Sequence, residues 1–155
     1  VRKGEVAPDV TLPDQTGAVR PLSTIADGSR TVLFFYPAAM TTGCTREGQH
    51  FRDLAAAFAE VNAVRVGISM DPVEKQARFA EANAFEFPLL SDVDGTVART
   101  FGVKRRLDAL RTRRVTFVLD EDRRVLDVIR SELSMAAHAD RALRTLAATP
   151  SRDRG

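Results

Sequence analysis

The 155-residue chain has a single cysteine, Cys44. An internal disulfide is therefore excluded, and with it the disulfide-stapled secreted scaffold. Apolar runs of membrane length are missing as well; the longest, Val32 to Met40, contains Pro37. The first residues, Val1-Arg2-Lys3-Gly4-Glu5, lack the apolar core of a secretory leader, so the cytoplasm is the expected location. There is no glycine-rich phosphate loop, so no nucleotide cofactor is expected. His50 and His138 stand apart, without a second His or Cys at ligand spacing, and no metal is expected. A net charge of +2 is too small to imply an acidic partner. The most basic stretch, Lys104 to Arg114, contains no aromatic residue for base stacking. It reads as a solvated loop rather than a nucleic-acid surface. Repeats and low-complexity segments are absent.

What is present is an ordinary globular composition, 44% hydrophobic and 28% charged, enough for one domain with a real core. Residues 1–149 are expected to form it, with 150–155 a loose polar tail. Ala7–Leu12 reads as a short strand, Pro13–Gly17 as a turn and Ala18–Leu22 as the returning strand, with Ser23 capping a helical turn. Thr31–Tyr36 is a buried strand, and the apolar spacing of Phe51, Leu54, Phe58 and Val61 predicts one helix from about Thr42 to Glu60. Ala63–Ser69 is a second buried strand. Asp71 as cap and Pro72 as first residue open the next helix, whose apolar face is Val73, Ala77, Ala80 and Phe79. Phe87–Ser91 is extended, and Asp94-Gly95 opens a short helix ending near Phe101. Val115–Asp120 and Arg124–Ile129 form a hairpin, and Met135–Ala148 is the last helix. Strand and helix alternate, then a hairpin and a helix follow. This order predicts an α/β fold, a mixed central sheet flanked by helices with an N-terminal β-hairpin extension, as in a thioredoxin-like sandwich.

Cys44 falls just after a buried strand and just inside a helix. Helix N-termini present unpaired N–H groups and favour negative charge, and the thiolate is the reactive form of cysteine. Thr41 or Thr42 is placed to cap the helix through its hydroxyl. Thr41, three positions before Cys44, is also placed to approach the sulfur. Pro37 removes a donor and closes one side of the pocket.

Pro37-x-x-x-Thr41-x-x-Cys44 resembles the active-site signature of the peroxiredoxins. Phe34-Phe35-Tyr36-Pro37, Cys44-Thr45-Arg46-Glu47 and Phe51-Arg52-Asp53 are similar to the Q-type branch, the bacterioferritin comigratory proteins. So are Gly4-Glu5-x-Ala7-Pro8-Asp9, Leu12-Pro13-Asp14-Gln15-x-Gly17 and Arg114-x-Thr116-Phe117-Val118-Leu119-Asp120. The resemblance implies a thiol-dependent peroxidase acting on hydrogen peroxide or organic hydroperoxides, with no cofactor. It implies Cys44 as the peroxidatic nucleophile, Thr41 as a hydrogen-bonding partner of the peroxide, and Arg114 as the cation beside the sulfur. Glu47, one turn beyond Cys44, would orient Arg114. Arg113 is the rival, but strand alternation puts it on the other face.

The chain departs from the Q-type pattern in three places. Gln49 stands where many members carry a resolving cysteine, Thr42 where proline is usual, and Val10 where phenylalanine is common. With no second cysteine, a sulfenic acid on Cys44 needs an external thiol: thioredoxin, a glutaredoxin-type protein or a low-molecular-weight thiol. The basic stretch is a candidate docking face for an acidic reductant. Two rival readings are a peroxide-responsive relay passing oxidation to a partner protein and a binding module without turnover. Monomer and homodimer both fit.

Overall fold

The computed structural model describes residues 1–106 and 111–151. Part of the basic stretch, residues 107–110, and the expected tail from 152 to 155 lie outside the described residues.

The strand β3 (Arg30–Phe35) organises the molecule, and all six of its residues are buried. A strand covered on both faces needs a continuous apolar run, which Val32 to Phe35 supplies. It pairs in parallel with β4 (Ala63–Ser69) and antiparallel with β6 (Val115–Leu119). Among the described residues, β5 (Leu89–Ser91) and β7 (Val125–Arg130) complete a five-stranded sheet in the order β5-β4-β3-β6-β7. The sheet is mixed, as expected: β5 runs parallel to β4, and β7 antiparallel to β6. Alternation along β3 sends Val32, Phe34 and Tyr36 into one cluster, with Phe51, Phe58, Phe79 and the final helix. Leu33 and Phe35 enter the opposite cluster, with Leu22, Phe101 and Phe117. The helices α2 (Thr42–Asp53), α3 (Ala55–Glu60), α4 (Val73–Asn83) and α6 (Met135–Ala148) bury residues in the first cluster. The short α1 (Leu22–Ala26) and α5 (Thr96–Thr100) serve the second.

Several boundaries differ from the sequence expectation. The N-terminal hairpin is shorter, pairing β1 (Thr11–Pro13) with β2 (Val19–Pro21). Ser23 sits inside α1 instead of capping it; its N–H and hydroxyl donate to Asp9 at 2.8 and 2.6 Å. The expected single helix from Thr42 to Glu60 is two, because the backbone leaves helical geometry at Leu54 (φ −98°, ψ 21°). An apolar repeat at 51, 54 and 58 is the same for one helix as for two abutting ones, so the pattern does not register the break. The helix after β4 begins at Val73 with Pro72 at its cap. Asp71 is fully buried and turned to other partners, described below. The buried face of α4 is Gln76, Phe79 and Ala80, with Val73 and Ala77 only half-buried. Gln76 is tolerated there because its amide donates to Ser69 Oγ and the Leu90 carbonyl, both at 2.9 Å, while its oxygen accepts from the Tyr36 hydroxyl.

Candidate active site

The chain leaves β3 through Tyr36 and Pro37, turns at Met40 in the left-handed region (φ 68°), and enters α2 with Thr41 at the cap. Cys44 therefore stands in the first turn of α2, and the residue is 2% exposed. Thr41 and Thr42 beside it are exposed, and Pro37 is half-buried. The Thr41 hydroxyl donates to the Ala38 carbonyl at 2.7 Å. Its proton thus stabilises the loop, and the expected side-chain cap on the helix N–H groups is not made.

Arg114 reaches this turn from the start of β6. Its Nη2 donates to Cys44 Sγ at 3.3 Å, and its Nη1 donates to Glu47 Oε1 at 2.7 Å. Three features bring the guanidinium this close. Glu47 lies one turn along α2 from Cys44, so both face the same side. The Arg114 backbone N–H donates to Glu132 Oε1 at 3.0 Å, which fixes the strand end. The third is Gly43, where a Cβ would stand 3.3 Å from Arg114 Nη2 and 3.5 Å from Met135 Sδ. Arg113 is exposed, as the alternation requires.

Burial pushes the Glu47 carboxyl up to about 7, against the pull of the Arg114 charge. Burial also works against the Arg114 cation, but the charges of Glu47 and Cys44 more than offset it and hold its pKa above the ordinary range. The permanent cation beside the sulfur favours negative charge on it, and the same group can stabilise charge developing on an attacked oxygen.

Behind Glu47 lies His138 of α6, fully buried, with Nδ1 3.7 Å from Glu47 Oε2. Nδ1 also meets Thr116 Oγ1 at 2.8 Å, and Nε2 meets the Ser131 carbonyl at 2.8 Å. Burial holds the imidazole below its usual range. Asp71 braces the loop that leads into α2. Its Oδ2 accepts from the Ala39 N–H at 2.6 Å and from Ser69 Oγ at 2.7 Å. Its Oδ1 is 3.1 Å from Arg111 Nη2 and 3.5 Å from Lys75 Nζ.

The structure thus brings Cys44, Glu47 and Arg114 into contact, sets Thr41 at the helix cap, and leaves Pro37 in the loop. His138 and Asp71 were not singled out for the site from the sequence. Thr116 carried a signal, because two residues on from Arg114 it shares its face of β6.

Comparison with known proteins gives the family. Residues 3–128 match the AhpC/TSA family. Peroxiredoxin Bcp of Bacillus subtilis is 36% identical over 148 residues, which cover 92% of this chain and 93% of that protein. The solved structure of peroxidoxin BcpB from Mycobacterium tuberculosis shares 61% identity at a TM-score of 0.92, covering 96% of this chain and 98% of that one. The bacterioferritin comigratory protein of Xanthomonas campestris shares 32% identity at a TM-score of 0.83, covering 93% and 96%. The mixed sheet and its helices are accordingly the thioredoxin-like arrangement of those structures. On this likeness over nearly the whole chain, the protein belongs to the AhpC/TSA family as a Q-type peroxiredoxin, a thiol-dependent peroxidase.

Proposed function

We propose that the peroxidase cycle runs on Cys44 alone and is completed by an external thiol. The Cys44 thiolate attacks one oxygen of a hydroperoxide, and the O–O bond breaks. A sulfur–oxygen bond forms, so the sulfur, oxidised by two electrons, becomes a sulfenic acid, and the second oxygen leaves as alkoxide or hydroxide that takes a proton from solvent to become alcohol or water. A first thiol then displaces water to give a mixed disulfide, and a second releases Cys44 as the thiol. Arg114 stabilises the charge on sulfur and on the attacked oxygen, and Glu47 fixes the guanidinium. Thr41, whose proton is engaged by Ala38, offers its lone pairs to the peroxide O–H. Pro37 closes the loop side.

The observation that carries this reading is the 3.3 Å contact between Arg114 Nη2 and Cys44 Sγ in a chain with one cysteine. The position where a resolving cysteine is common supports it: Gln49 there donates to Asn83 Oδ1 at 3.0 Å. An organic hydroperoxide is a fitting substrate, since the Xanthomonas campestris protein is described as reducing alkyl peroxide. Cys44→Ser is expected to abolish consumption of hydrogen peroxide and of an alkyl hydroperoxide, each measured with thioredoxin, a glutaredoxin-type protein and a low-molecular-weight thiol in turn. Turnover retained by that variant removes Cys44 from the reaction. Turnover that no added thiol sustains in the wild type removes external resolution.

A further inference from the structure

We propose that Glu47 and His138 form a buried proton-sharing pair that sets the charge presented to Arg114 and, through Arg114, to the Cys44 sulfur. His138 acts here as a positioning residue. The inference rests on Cys44 being the reacting sulfur.

The hydrogen-bond inventory leads to it. The Ser131 carbonyl can only accept, so the contact of 2.8 Å to His138 Nε2 requires a proton on Nε2. In the neutral imidazole, Nδ1 then carries a lone pair, and the Thr116 hydroxyl at 2.8 Å must donate to it. Glu47 Oε2 faces that same lone pair from 3.7 Å and has no hydrogen-bond partner among the described residues. An ionised carboxylate oxygen, fully buried and aimed at an acceptor, is a costly arrangement. One proton removes the conflict, whether it sits on Oε2 or on Nδ1.

Charge balance argues the same way. With Cys44 as thiolate, Arg114 protonated, Glu47 ionised and His138 neutral, the buried cluster has a net negative charge. A proton on the pair makes it neutral. That proton also decides how Arg114 divides its attraction. Against an ionised Glu47 the guanidinium serves two anions; against a neutral one it serves the sulfur alone. Among the described residues, the titratable and charged groups around the pair are Cys44 from α2, Arg114 just before β6 and Glu132 from the segment before α6. Other polar pairs on the packed helices and strand include the His50–Asp140 hydrogen bond between α2 and α6 and the Asp127–Arg141 ion pair between β7 and α6. Each binds its own partner, at 2.7 and 3.0 Å.

Two measurements test the pair, and neither uses peroxide. The first is 15N NMR of histidine-labelled full-length protein across pH 5 to 9. The neutral His138 ring is expected to carry its proton on Nε2, and its titration is expected to move when Glu47→Gln is introduced. A neutral ring protonated on Nδ1, or a titration indifferent to Glu47→Gln, overturns the proposal. The second is the rate of Cys44 alkylation by iodoacetamide against pH. Glu47→Gln is expected to lower the pH midpoint by about one unit. His138→Asn, which sets a permanent N–H beside Oε2 and keeps Glu47 ionised, is expected to raise it. With both substitutions present, the His138→Asn effect should vanish. Thr116→Val keeps the imidazole and removes only the donor to Nδ1, so it covers the case in which His138→Asn fails to fold; its midpoint should also move. Midpoints that stay in place, or a uniform slowing at every pH, would mean the histidine is a packing residue and would overturn the pair. If Cys44→Ser instead retained peroxidase turnover, the proposed cycle would fail while the NMR result stood.

Discussion

Glu47 meets two opposing demands. It anchors Arg114 at 2.7 Å, yet it is wholly removed from water. Burial lifts its pKa from 4.5 to about 7, so the sign of its effect on stability follows. The folded protein holds the proton more tightly than the unfolded chain, so the stabilising contribution is complete below 4.5 and is lost as pH rises through about 7. His138 runs the other way. Its folded pKa lies below 6.5, so its contribution is complete above that value and is lost as pH falls through the lowered one. Glu47→Gln removes the first of these outright. Its stability relative to wild type, from urea unfolding at pH 5 and pH 8, is expected to improve at the higher pH. A difference that stays constant between the two pH values would contradict a raised Glu47. At this scale the sequence was most informative where residues sit close in one motif. Cys44, Thr41 and Glu47 lie within two turns of one another. His138 arrives from the last helix, and a lone histidine among alanines carries no sign of which carboxylate it will face.

At the scale of elements, the loop from Pro37 to Thr41 is held by its neighbours rather than by its own hydrogen bonds alone. Asp71, at the end of β4, takes the Ala39 N–H, and Thr112 Oγ1 donates to the Tyr36 carbonyl at 3.1 Å. The approach to Cys44 is therefore fixed from β4 on one side and from the residues before β6 on the other. Asp71→Asn keeps the size of the side chain but leaves Arg111 and Lys75 without their anion. A loss of about 2 kcal/mol in unfolding free energy is expected, discounted because Arg111 is partly exposed. Urea titration would measure it, and a loss under ~0.5 kcal/mol would show that the carboxylate is not bracing the loop. The sequence reading assigned Asp71 to the helix start because Asp-Pro is a common opening for a helix. The tertiary demand of the loop prevailed over that local preference. Phe34 and Phe35 were easier to read, because a buried central strand has to be apolar on both faces.

Across the molecule, the order of strands and helices was legible from the alternation of apolar runs and turn residues, and the mixed sheet followed from it. The break at Leu54 and the shortness of the N-terminal hairpin were not, since neither changes the apolar pattern. Among the described residues, no helix is long and apolar enough to cross a membrane. Positions 44 and 49 of one helix lie about 140° apart around its axis, too far apart for two sulfurs to bond without unwinding the helix. With Gln49 tied to Asn83, this chain has no such bond to make. Amide hydrogen exchange over Thr42–Asp53 is expected to be as slow after one equivalent of peroxide as before it. Loss of protection on oxidation would show that the helix opens regardless.

The small clearance at Gly43 extends that point. A bare backbone lets the guanidinium lie against the turn, so the sulfenic acid of the proposed cycle would add its oxygen beside a cation already in place. The reduced and oxidised proteins would then offer an incoming thiol nearly the same surface, and a reductant would be selected by its reach to the sulfur rather than by its ability to sense a change of shape.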